Sequence, residues 1–332
     1  MIILFTQKCD ILPKMGTASV SAGAVGETLF RNSQKECFPL SQKGQARWFG
    51  GLGPGHSFMF PPLWLKRIRM TAIAIPYTSF GFALAADGRQ QWMHNPTRDR
   101  LTRDAESDRV QKIFGIERPN AAFAYTVSGD IASRDRSFDL SIEVGTQAKQ
   151  LQTAIFFTAR SFVEALSQRL VNAIATAMSE RRIEDYPQSE ITLAGYFGCG
   201  PHLVNIQFER YGEGFRHRVI FHDLRPGACF LTGSHLIAKL VSEGDARFAQ
   251  FCVPLDENPS LQAATDFAIG YIRASSSTLA RGLDPECDKI GGHIHAATII
   301  PPERSLRSRI QKWMGRSVPR SSFQWIVPPI LS

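Results

Sequence analysis

The sequence lacks any apolar run approaching the roughly 18 residues that a membrane-spanning helix needs. Its opening, Met1-Ile-Ile-Leu-Phe-Thr-Gln-Lys-Cys-Asp10, is apolar for only about five residues, short of the roughly 7–15 of a secretion signal. The six cysteines, Cys9, Cys37, Cys199, Cys229, Cys252 and Cys287, include no CxxC pair and no zinc-ligand spacing. Scattered thiols in a chain this long read as reduced, which points to a cytoplasmic protein. No phosphate-cradling P-loop and no GxGxxG element is present, so no cofactor is expected. His293 and His295 alternate along one stretch, but two histidines fall short of the three or four ligands a metal takes, and no metal is expected either.

What is there is the material of a globular protein. Of 332 residues, 43% are hydrophobic and 20% charged, ordinary values for a folded chain and enough for one large domain or two ordinary ones. The formal charge of +8 is unevenly placed. Residues 1–70 carry +6 and residues 301–332 carry +5, which leaves 71–300 at −3. A basic face on the body of the protein is therefore not expected, and neither is nucleic-acid binding, because net charge alone speaks to solubility and steering.

Composition divides the chain into three parts. Residues 1–70 are rich in Gly, Ser, Pro and basic residues, as in Gly50-Gly-Leu-Gly-Pro-Gly55, and sustain no amphipathic period. They read as a disordered extension, either a propeptide or translation from a start placed too far upstream, with Met70 as the initiator. Residues 71–300 carry the periodic segments. Residues 301–332 form a basic tail that turns apolar at Phe323-Gln-Trp-Ile-Val327, a short strand or a docking segment.

In the middle part, 71–76, 81–86, 112–116 and 121–127 read as strands. A helix is expected over 136–150. A second is marked by Phe162, Leu166, Leu170, Ile174 and Met178, one stripe over four turns. Strands follow at 189–197, 203–211 and 228–231, with a hairpin turn at Gly198-Cys-Gly-Pro201. Helices at 234–242 and 260–273 precede a last strand at 294–300. Strands, helices, strands, helices and a strand in that order predict an α/β (α+β) chain folded as a four-layer α/β/β/α sandwich.

One constellation carries chemistry. Thr71 follows Met70, and methionine aminopeptidase removes an initiator Met ahead of a small residue. A Thr at a free N-terminus is a nucleophile with its own base, since its α-amino group takes the hydroxyl proton and titrates at roughly 7.7–8.0. A nearby Lys lowers both pKa values, an Asp holds that Lys, and a backbone N–H at a Gly turn stabilises the oxyanion. Asp87 stands 16 residues after Thr71 at the end of the second strand, Lys112 opens the third, and Gly129 ends the fourth.

These residues lie in Met70-Thr-Ala-Ile-Ala-Ile75, Phe82-Ala-Leu-Ala-Ala-Asp-Gly-Arg89, Gln111-Lys-Ile-Phe-Gly-Ile116 and Val127-Ser-Gly-Asp130. Thr192-Leu-Ala-Gly-Tyr196, Leu231-Thr-Gly-Ser234 and Gly291-Gly-His-Ile-His-Ala-Ala-Thr-Ile299 follow in order. Together they resemble the proteasome β-subunit family of N-terminal-nucleophile hydrolases and its bacterial relatives, over residues 71 to about 300. The resemblance implies Thr71 as nucleophile and amine base, Asp87 orienting Lys112, Lys112 tuning the amine and hydroxyl, and Gly129 giving the oxyanion N–H. It further implies Ser234 as a relay for the amine proton and Asp288 as the acid supporting that serine. A threonine-type peptidase or other amide hydrolase, assembled as a homo-oligomer and served by an ATPase unfoldase, is the implied activity.

The sequence departs from the family at three places, the first being Met70 where a Gly commonly precedes a self-cleaved Thr, which favours enzymatic Met removal. Gly291 stands where the family has a Ser three residues after the acid, and the segment from Asp87 to Lys112 is longer, with Arg98, Asp99, Arg100, Arg103 and Asp104 in the insertion. Each residue also has a plainer role. Thr71 opens a strand, Asp87 sits at a turn, Lys112 is a strand-edge charge, Gly129 is a turn glycine and Ser234 caps a helix. The Gly291 departure and the N-terminal extension motivate the alternative of a catalytically inactive scaffold subunit with the same fold.

Overall fold

The computed structural model describes residues 58–59, 71–90, 108–118, 120–129, 132–133, 137–183, 188–211, 214–301 and 322–329. The expectations for most of residues 1–70, for the charged insertion and for the basic part of the C-terminal tail lie outside the described residues.

The described residues make a mixed α+β structure with two sheets. The first has six strands: β1 (Phe58–Met59), β2 (Ile73–Thr78), β3 (Gly81–Asp87), β9 (Cys229–Thr232), β10 (Ile294–Ile300) and β11 (Ser322–Val327). They lie in the order β1-β9-β2-β3-β10-β11, antiparallel except where β1 runs parallel to β9. The second sheet is an antiparallel meander of β4 (Ile113–Arg118), β5 (Ala121–Gly129), β6 (Ser189–Phe197), β7 (Gly200–Tyr211) and β8 (Gly214–His222), in chain order. The helices are α1 (Leu140–Gln150), α2 (Ala159–Ser179), α3 (His235–Ser242), α4 (Leu261–Ser275) and α5 (Thr278–Leu283). None of them is long and apolar enough to cross a membrane.

Side-chain alternation explains the packing. Successive strand residues point to opposite faces, so β2 and β3 send Ile73, Ile75, Phe82 and Leu84 into one cluster, and Ala74 and Ala85 into another. The alanine face is low enough for α4 to approach closely with Ala264, Phe267, Ala268, Tyr271 and Ile272, all buried. The larger residues meet Ala124, Ala194, Tyr196 and Leu203 of the other sheet. On the far face of the meander, Phe123, Tyr125, Val127, Ile191 and Leu193 pack against α1 and α2. The expected stripe of α2 supplies Phe162, Leu166, Leu170 and Ile174 to that contact, each fully buried, for roughly 1.5–3 kcal/mol apiece.

Helix starts follow the capping residues. Asp139 accepts from the N–H groups of Ser141 and Ile142, so α1 begins at Leu140 and not at 136. Ser234 and Ser260 cap α3 and α4 in the same way, each starting one residue after the expected bound. Three elements were not foreseen as such: β8, α5 and the pairing of Phe58–Met59 with β9.

Candidate functional site

β2, β3, β4 and β5 bring their polar ends together. Thr71 and Ala72 lead into β2, Asp87 ends β3, Lys112 immediately precedes β4 and Gly129 ends β5. Thr71, Asp87 and Lys112 are all buried, and Asp87 is fully so. The Lys112 ammonium donates to Asp87 Oδ1 at 2.9 Å and to the Thr71 hydroxyl at 3.4 Å. A buried charge is tolerated only when paired and hydrogen-bonded, and here acid and base satisfy each other with the threonine alongside.

Asp87 is the most heavily bonded group in the site. Its Oδ1 also accepts the Ala72 N–H at 3.0 Å, and its Oδ2 accepts those of Gly291 at 3.2 Å and Arg89 at 3.3 Å. Burial pushes its carboxyl above the ordinary range, while the Lys112 ammonium and the N–H groups of Gly291 and Ala72 pull the other way. Thr71 is held from its carbonyl, which accepts the Thr232 hydroxyl at 2.8 Å. The same hydroxyl accepts the Ile73 N–H.

Gly129 ends β5 opposite Ser189 with φ +94°, and a Cβ there would stand 2.2 Å from the Gln188 carbonyl oxygen. Any side chain is thereby excluded by backbone. The turn before Ser234 packs against the start of β2: a Cβ on Gly233 would be 3.3 Å from the Ala72 Cα. The Ser234 hydroxyl accepts the Ile237 N–H as the cap of α3, and it donates to Asp284 Oδ2 at 2.5 Å.

Asp284, and not Asp288, is therefore the acid in contact with Ser234. Asp288 sits in the 3₁₀ turn Pro285–Lys289, with its side chain exposed and 3.7 Å from Arg281. That turn carries Asp288 to the surface and leaves Asp284, half-buried, at its start. The Cys287 thiol, three residues after Asp284, is fully buried and hydrogen-bonds Ser234; burial pushes it up to about 11. Gly291 has a different neighbour. A Cβ there would meet the Arg89 guanidinium at 3.0 Å, and that guanidinium bonds the Asp108 carboxylate and the Asp288 carbonyl.

Like Asp284 and Thr232, the residue behind Lys112 went unassigned from sequence. His295, 1% exposed in β10, accepts the Lys112 backbone N–H at Nε2, 2.9 Å away. Burial, reinforced by the Lys112 and His293 charges, pushes its pKa down to about 3. The alternation His293–His295 was the available signal; it fell short of a metal site and named no hydrogen-bond partner. His293 meets the Pro328 carbonyl at 2.9 Å.

No family model matches the chain, and no curated protein matches it. Among solved structures it is similar to Anbu (ancestral beta-subunit) from Yersinia bercovieri, 15% identical, with a TM-score of 0.43 over 70% of this chain and 82% of that one. It is also similar to the Anbu complex from Pseudomonas aeruginosa, described as a helical assembly: 12% identical, with a TM-score of 0.46 over 77% and 86%. This corrects the family expected from the motifs. The neighbours are Anbu proteins, proteasome-like but structurally distinct from the proteasome β-subunit expected from the motifs, and the superpositions are loose.

Proposed function

We propose that the chain is a threonine-type amide hydrolase in which the Thr71 hydroxyl attacks once Thr71 stands at a free N-terminus. The observation that carries this reading is the buried Lys112 ammonium bridging Asp87 at 2.9 Å and the Thr71 hydroxyl at 3.4 Å. We read the three apolar clusters, one between the sheets and two under the helices, as support for a four-layer α/β/β/α sandwich.

In the proposed reaction the Thr71 oxygen bonds to the amide carbonyl carbon while its proton passes to the α-amino group. The Lys112 ammonium stabilises the developing alkoxide, and Asp87 keeps Lys112 aimed. The oxyanion is received by the Gly129 N–H. Collapse breaks the C–N bond, the amine leaves with the proton, and water then hydrolyses the ester. Ser234, held by Asp284, is the proposed relay for the amine proton. Peptides and other amides both fit this chemistry.

The test uses the full chain and the chain beginning at Thr71, treated with a β-lactone, which acylates a nucleophilic hydroxyl by ring opening and adds its whole mass. The second form is expected to gain one adduct on the peptide carrying Thr71 and to hydrolyse amide substrates. Thr71→Ala should abolish both, and Lys112→Ala should slow acylation by about 10²–10⁴-fold, the usual worth of a proton-managing side chain. Unchanged acylation in Thr71→Ala, or no adduct on the chain beginning at Thr71, would replace the hydrolase with a scaffold of the same fold.

A further inference from the structure

Lys112 is anchored twice. Its ammonium is held by Asp87, and its backbone is held by His295. Lys112 stands one residue ahead of the first ladder pair of β4, Ile113 with Thr126, and it is 3% exposed. Its buried N–H must find an acceptor, and the one it has is an imidazole nitrogen from a strand 183 residues away.

The ring that accepts this bond is itself fixed. His295 sits opposite Ala86 in the ladder of β10 with β3, next to the pair Ile294 with Asp87. Trp325 of β11 packs edge-on against it at 6.4 Å between centroids, and His293 lies 6.3 Å to the side. An imidazole that accepts at Nε2 is neutral there and carries its proton on Nδ1. The low-dielectric surroundings and the neighbouring ammonium both favour that state.

We infer that His295, as the Nδ1–H tautomer, is a positioning residue for Lys112, and that β11 sets its ring through Trp325. The inference rests on the proposed role of Lys112 toward Thr71. A lysine side chain has four carbons of free rotation, so the 3.4 Å approach to Thr71 Oγ1 depends on where its backbone starts. Loss of the anchor lets the first residues of β4 move, and a displacement of about 1 Å is enough to cost roughly 100-fold in a reaction step.

Three full-domain proteins with Thr71 at the N-terminus decide the matter: the parent, His295→Leu, which has similar bulk and no acceptor, and His295→Gln, which keeps one. The probe is a β-lactone, and the readouts are its saturating acylation rate and its half-saturating concentration. His295→Leu is expected to lower the saturating rate about 100-fold, by the positioning argument, with half-saturation within about two-fold. His295→Gln should recover most of the rate. Equal rates in His295→Leu and the parent, or equal losses in His295→Leu and His295→Gln, overturn the inference.

A second measurement stands apart from activity and from the folding of any variant. Long-range ¹⁵N–¹H spectra of the parent should show His295 neutral, with its proton on Nδ1, from about pH 8 down to about pH 5, as expected of a buried, unprotonated ring. A proton on Nε2 overturns the inference. Should Thr71 prove unreactive while His295 shows the Nδ1–H form, the hydrolase reading fails and the His295–Lys112 contact stands.

Discussion

Glu190 makes the sharpest statement at the scale of a single residue. It lies in β6, with Ser128 and Gln207 as ladder partners, and its carboxylate accepts from the Asn205 and Gln207 side-chain amides. Neither partner carries a charge. Burial pushes its pKa up from 4.5 to about 7, against the pull of those two amides. A folded-state value above the unfolded one means that the native protein binds the proton more tightly. The contribution to stability is then full below about 4.5, and it is lost as pH rises through about 7. Glu190→Gln should remove that dependence and make the protein more stable than the parent at about pH 8, by on the order of 3 kcal/mol. Urea melts of both proteins across pH 5–8 check it. His222, which donates to Asn205, has its own pKa lowered by burial and works with the opposite sign below its ordinary range, so the comparison of the two proteins matters more than either curve alone. No gap between them at high pH would show Glu190 to be ionised in the fold without cost.

At the scale of an element, the link from α1 to α2 hangs on one buried cation. Arg118, the last residue of β4, donates to the Leu151 carbonyl at 2.6 Å and the Ala154 carbonyl at 2.7 Å, and it lies 4.9 Å from the centroids of both Phe156 and Phe162. A planar fork satisfies two carbonyls and stacks between two rings at once; a lysine does not. Arg118→Lys should cost about 1.5–3 kcal/mol, the value of a charge-assisted hydrogen bond, seen as a lower midpoint in thermal or urea melts with the helical signal retained. A melt identical to the parent's would place the anchor elsewhere.

The elements that could be read in advance share a reason. Ser189–Phe197 and Ile294–Ile300 have the expected bounds, because both are largely buried strands bounded by turn residues. β8 was missed as an element because Gly-Phe-Arg-His-Arg-Val-Ile-Phe-His is half-polar and borders the sheet on one side only. α5 has six residues, too few to show a helical period. In the site, strand ends and spacing pointed to Thr71, Asp87 and Lys112, and the Lys112 ammonium lies within hydrogen-bond reach of both the others. The family resemblance pointed to Asp288, whereas the residue in contact with Ser234 is Asp284, at the start of the 3₁₀ turn that separates the two. His295 was illegible as a partner of Lys112, since the contact spans 183 residues.

Across the whole molecule the two sheets differ in how they are wired. The meander pairs each strand with the next along the chain, whereas the six-stranded sheet joins β2 to β9 and β3 to β10. Closing long loops costs entropy before any contact repays it. Refolding is therefore expected to protect the amides of β6 and β7 before those of β2 and β10 in pulse-labelled hydrogen exchange. Simultaneous protection of both sheets would show that the cluster shared between them forms at the outset.

That wiring also sets a schedule. Thr71 and Lys112 leave the ribosome early, but the Gly291 N–H that completes Asp87 comes 204 residues after it, and His295 later still. On the proposed chemistry, an unfinished chain carries its nucleophile and its lysine without the parts that align them. The protein would stay harmless to its neighbours throughout its own synthesis, and arm itself only with its closing strands.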